Sequence, residues 1–151
     1  VAPLPDLIGN EIATHTDYYK RTGNPAAAWY VFHLCRKHGR VAPAEINKEI
    51  DRFTTEIAKR VEHAIQIPPS KIKLHVSARD IGDIFRDGIT NPIGTMQKEW
   101  RDYWIFSEVL RRVEEYGEQV GEAQAAVARM KGVSLSFETV DQIWKRLKRD
   151  G

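Results

Sequence analysis

After Pro43 the residues Ile46, Ile50, Phe53, Ile57 and Val61 recur every three or four positions, while Lys48, Arg52, Glu56, Lys59 and Arg60 fall on the opposite side. This is the period of an α-helix with one face in a core and the other in water. A half-buried strand would alternate at every second residue. The helical spacing returns along most of the chain, so an all-α fold is the first expectation. Only the six residues from Lys71 to Val76 alternate, which leaves room for one short β element.

Punctuation residues divide the pattern. Asp6 is placed to cap a helix through Arg21, with Ile8, Ile12 and Tyr19 on one face and Gly23 as its stop. Asn24-Pro25 starts the next helix, because the residue before a proline is pushed out of the α region and proline suits the first helical turn. There Ala28, Val31, Phe32 and Cys35 share a face, and Gly39 ends the run. Pro68-Pro69 is the sharpest break. Ser77 can cap a short helix through Phe85 that ends near Gly88, and Asn91-Pro92 repeats the earlier start signal. The helix that follows reaches about Gly117. Met96, Trp100, Tyr103, Leu110 and Val113 mark one of its faces, widened by Trp104, Phe106 and Val109. Two further helices are predicted over about 121–131 and 137–149. The expected architecture is a bundle of six or seven helices, with an N-terminal module over 1–67 and a second region over 68–151. Trp29, Trp100, Trp104 and Trp144 lie on apolar faces and are expected in the core, where burial of an aromatic ring is most favourable.

Composition bounds the function classes. A chain of 151 residues with 42% hydrophobic residues can bury a core without staples. Cys35 is the single cysteine, so no disulfide forms within the chain. The apolar run from Ala26 to Leu34 is far shorter than the roughly 20 residues that span a bilayer. The opening residues have neither a basic start nor a long apolar stretch, and a cytoplasmic protein that does not engage membranes is expected. The net charge of +2 neither requires nor excludes nucleic acid, because placement outweighs the sum.

The segment from Ala125 to Leu147 resembles a helix-turn-helix DNA-binding motif. Ala128 is small enough for a close helix crossing, and Gly132 permits a left-handed turn. Val133 tucks under that turn, and Ser136 can cap the second helix. Val140, Ile143, Trp144 and Leu147 then form one apolar face. The resemblance implies that Ser136, Thr139, Gln142, Lys145, Arg146, Lys148 and Arg149, with Lys131 in the turn, meet double-stranded DNA, where Gln and Arg can each make two hydrogen bonds to a base edge. The turn is about two residues longer than in the most compact form of the motif, and Glu138 and Asp141 lie near the same face. Such proteins commonly pair across a two-fold axis, so a homodimer is expected.

Gly23-Asn24-Pro25, Trp29 and Leu34-Cys35-Arg36 resemble the opening of a group of uncharacterised bacterial proteins that also end in a helix-turn-helix. Where that group has a tryptophan after the position of Pro43, this chain has Ala44-Glu45-Ile46. The resemblance implies a small bacterial or phage-type transcriptional regulator and carries no activity with it. The competing reading is a non-catalytic protein–protein interaction module, a helical adaptor whose C-terminal pair only closes the core.

Other constellations fall short of chemistry. Of His33, Cys35 and His38, only Cys35 and His38 share a helix face, and no second pair completes a metal site. Asp80, Asp83 and Asp87 lack the alternating pattern of a calcium loop and read as a solvated stripe. Lys71, Lys73, Arg79 and Arg86 are interleaved with those acids and read as mixed surface, and Tyr18-Tyr19 read as packing. No phosphate loop, dinucleotide fingerprint or nucleophile elbow is present, so neither a cofactor nor an enzyme is expected.

Overall fold

The computed structural model describes residues 3–66 and 77–151 and is all-α, with seven helices and no strand among the described residues. The alternating stretch from Lys71 to Val76, where a short β element is expected, lies outside the described residues, as does the Pro68-Pro69 break. No described helix is long and apolar enough to cross a membrane. The chain forms two compact units, residues 1–96 and 97–151. The division falls inside a long helix rather than at Pro68-Pro69.

The first unit contains α1 (Leu7–Thr22), α2 (Pro25–Lys37), α3 (Ala44–Gln66), α4 (Ala78–Arg86) and the first turn of α5 (Pro92–Tyr116). Its helix ends follow the chemistry of the local sequence. The Asp6 carboxylate accepts the Gly9 amide at 2.9 Å, and Gly23 takes the left-handed conformation, φ 69°, that terminates α1 at little steric cost. Ser77 and Asp80 form a reciprocal capping box at the start of α4. The core gathers Ala28, Val31, Cys35 and Ile46, flanked by Ile12, Tyr19, Phe32 and Ala42. Trp29 meets Phe32 and Phe53 edge-on at 6.2 and 5.1 Å.

Two buried polar residues of this unit, Glu49 and Asn24, take part in hydrogen bonding that links separate elements. Arg52 grips the buried carboxylate of Glu49 and donates to the Ile84 carbonyl at 2.9 Å, which ties α3 to α4. Asn24 is 1% exposed. Its side-chain oxygen accepts the Ala26 amide at 3.0 Å, and its amide nitrogen donates to the Tyr18 hydroxyl at 3.2 Å and the Pro92 carbonyl at 2.9 Å. Asp80, Asp83 and Asp87 do not act as one stripe: they close the capping box, pair with Arg86 and approach Arg52, respectively. Among the described residues no group of three His, Cys, Asp or Glu side chains is placed to hold a metal ion.

The second unit holds the rest of α5, then α6 (Val120–Ala128) and α7 (Phe137–Asp150). Ile105 and Val109 of α5, Ala123 and Val127 of α6, and Val140, Ile143 and Trp144 of α7 make its core. Phe106 stacks on Trp144 at 5.0 Å.

The four tryptophans are not all buried, contrary to expectation. Trp144 is 7% exposed and Trp29 is half-buried, but Trp100 is 37% and Trp104 49% exposed. Apolar residues surround the first half of α5, so periodicity alone could not choose its inner face. The contacts with α6 and α7 choose the side of Asp102, Ile105 and Val109, which leaves Trp100, Tyr103 and Trp104 off that core.

Candidate nucleic-acid interface

α6 and α7 pack on each other, joined by the segment from Arg129 to Ser136. α6 ends at Ala128, three residues before its expected limit, so the connection is longer than the sequence suggests. Gly132, φ 92°, serves the turn rather than the helix cap, and Ser134 beside it also has a positive φ of 49°. Val133 packs against the core as expected. Ser136 caps α7 by accepting the Thr139 amide at 3.2 Å, and the two hydroxyls lie 2.9 Å apart.

The buried side of α7 is Val140, Ile143 and Trp144. On its other sides Glu138, Gln142, Lys145, Arg146, Lys148 and Arg149 are exposed, Thr139 and Asp141 are partly buried, and Lys131 is exposed in the turn. One helix therefore gathers six of the eight residues singled out from sequence, with Ser136 as its cap, but it does not leave them equivalent. Lys145 pairs with Asp141 at 2.8 Å. Lys148 lies 5.5 Å from the centre of the Trp144 ring, within reach of a cation–π interaction. Among the described residues Arg149 meets only its chain neighbour Asp150, at 3.4 Å. Arg146 donates at 2.7 Å to Asp102, a carboxylate that is 2% exposed on α5 and also takes two hydrogen bonds from Arg101. Arg146 thus holds α7 onto α5.

Two buried polar residues escaped the sequence reading. Asp102 sits within the aromatic run from Trp100 to Phe106, and a carboxylate amid apolar neighbours is itself a sign that a cation must be found for it. Gln124, 3% exposed on α6, donates to Asp141 at 3.0 Å. The Asp141 carboxyl is held below its ordinary range by Lys145 and then by Gln124, so it remains an anion with both partners engaged.

Between the start of α6 and α7 lies an open groove of about 470 Å³, lined by Val120, Gln124, Asp141, Trp144, Lys145, Lys148 and Arg149. Its rim carries three cations against one carboxylate that is already paired. Such a surface is suited to polyanions, and Gln142 beside it presents an uncharged fork of donor and acceptor. No protein-family model, curated protein sequence or solved structure matches the chain.

Proposed function

We propose that the chain binds duplex DNA through α7, as a small transcriptional regulator of bacterial or phage type that works as a homodimer. The observation that carries this reading is the division of α7 into a face locked in the core by Val140, Ile143 and Trp144 and an exposed side bearing Gln142, Lys145, Lys148 and Arg149. A rigid helix with cations and one amide fork outward has the chemistry to neutralise phosphate and to read a base edge. Ser136 and Thr139 serve the helix cap, and Arg146 serves the α5 contact. Lys131 adds a cation at the turn.

The test is binding of the full chain to labelled duplex at low salt, followed across ionic strength. Changing Lys145, Lys148 and Arg149 together to glutamine should weaken binding and flatten the log–log salt slope by about 0.9 for each lost phosphate contact. A parent chain that retains no duplex at low salt, or a triple variant that binds as well as the parent, refutes the reading.

A non-catalytic interaction module is the second reading. It is favoured by the aromatic residues Trp100, Tyr103 and Trp104 of α5, which are 37%, 62% and 49% exposed. Association through such residues would persist at high salt, where phosphate-driven binding falls away.

A further inference from the structure

We propose that Gln142 and Arg149 are the base-reading side chains of α7, with Gln142 taking an adenine and Arg149 a guanine about three base pairs away. This rests on the DNA-binding reading above and adds to it the identity of the readers and of the bases.

The structure sorts the polar side chains of α7 by what already occupies them. Thr139 is engaged with Ser136, and Asp141 with Gln124 and Lys145. The Arg146 guanidinium is committed to the buried Asp102. Lys148 leans over Trp144 at the flank of the helix. The Gln142 side chain hydrogen-bonds to nothing among the described residues, so both halves of its amide are available. Arg149, with 77% of its side chain exposed, has one link among the described residues, at 3.4 Å, from Nε to the adjacent Asp150. Its two terminal nitrogens keep their fork.

Seven residues separate the pair, which is two helical turns, so they project from one face within about 20°. Their separation along the axis is about 10 Å, and base pairs in a duplex are stacked at about 3.4 Å. The two side chains are therefore in register with base edges about three steps apart. Glu138, exposed one turn before Gln142 on the same side, is an acceptor that fits a cytosine amine and nothing on the phosphate backbone. Lys145 and Lys148 lie together on the groove side of this row, where phosphates would lie.

The base assignments follow from donor and acceptor order. An amide offers one acceptor and one donor side by side, matching N6 and N7 of adenine, whereas a guanidinium offers two donors, matching O6 and N7 of guanine. Serine or threonine in these positions would not impose that choice.

The experiment is a selection of bound sequences from random duplex DNA with the full chain, repeated with two variants at exposed positions. The parent should enrich A and G three positions apart. Gln142→Glu should move the first preference from A to C and leave the G untouched, because a carboxylate accepts from the cytosine amine. Arg149→Gln should move the G to A and leave the first A untouched. Each exchange should discriminate by roughly ten- to a hundredfold, the range of one bidentate pair. Retention of duplex without base preference, or preferences that neither variant moves, overturns this inference and leaves DNA binding in place. No retention of duplex by the parent at low salt overturns both, so the two failures are distinct.

Discussion

Replacing Asp102 and Arg146 by alanine, singly and together, isolates the polar contact that joins α7 to α5 beside their apolar packing. The two oxygens of Asp102 accept three hydrogen bonds, two from Arg101 at 3.0 and 2.7 Å and one from Arg146 at 2.7 Å. Exposed ion pairs contribute about 0.2–1 kcal/mol, and breaking a fully buried one costs about 3–5 kcal/mol. This pair falls between those limits, because the Asp102 side chain is 3% exposed and that of Arg146 is 44% exposed. Asp102→Ala releases both arginines toward water and strands no charge, so its expected cost is about 2 kcal/mol. Arg146→Ala leaves Asp102 with Arg101 and should cost about 1 kcal/mol. A double-mutant cycle in urea, followed by circular dichroism and tryptophan fluorescence, should return a coupling of about 1 kcal/mol. Costs that add within about 0.3 kcal/mol would show that the two side chains act independently, and Arg146 would rejoin the solvent face.

Trp144→Ala should destabilise the chain by about 3–5 kcal/mol in the same assay, since it removes a ring stacked on Phe106 in the core. Acrylamide should quench Trp100 and Trp104 strongly and Trp144 weakly in single-tryptophan variants, and equal quenching of all three would contradict their burial. The Asp6 carboxyl, held down by the Arg40 guanidinium and then by the Gly9 amide, should titrate at about 2 by NMR and rise toward 3.8 in Arg40→Ala. Its folded value lies below its unfolded one, so the stability it contributes is present above about pH 4 and lost as pH falls toward 2; a carboxyl that titrates normally would break the Asp6–Arg40 link.

Much of the fold was legible because its signals are local. Asn24-Pro25, Gly23, Ser77 and Asn91-Pro92 mark helix ends through chemistry that acts within four residues, and the ends stand there. The stripe from Ile46 to Val61 was legible only in part: Ile46 is buried and Ile50, Phe53 and Ile57 are partly so, but Val61 is 54% exposed, and Glu49 outside the stripe is buried with Arg52, expected on the water side, folded onto it. The end of α6 was harder to place. Ala128 to Lys131 keeps good helix formers past the point where the chain turns, and a glycine four residues beyond Ala128 looks like the stop. The inner face of α5 was not legible, since Trp100, Trp104, Ile105 and Val109 offer apolar surface on several sides. The candidate site was legible as a set of outward residues on the last helix. What the sequence hid was their engagement: Arg146 finds its partner 44 residues away and Asp141 one of its own 17 residues away, beyond the reach of any periodicity.

The two Asn-Pro starts look interchangeable in the sequence, yet the structure gives them unequal freedom to vary. The Asn91 side chain is exposed and, among the described residues, only accepts the Gly94 amide at 3.1 Å, a duty that serine, threonine or aspartate can perform. Asn24 must accept from Ala26 while donating to Tyr18 and to the Pro92 carbonyl, all within a buried site. Aspartate has the acceptor without the donor and would set a carboxylate against a carbonyl oxygen, while serine is too short to serve three partners. A library of all single substitutions should therefore read as permissive at position 91 and nearly closed at position 24, so that one dipeptide used twice is free to drift in one place and fixed in the other.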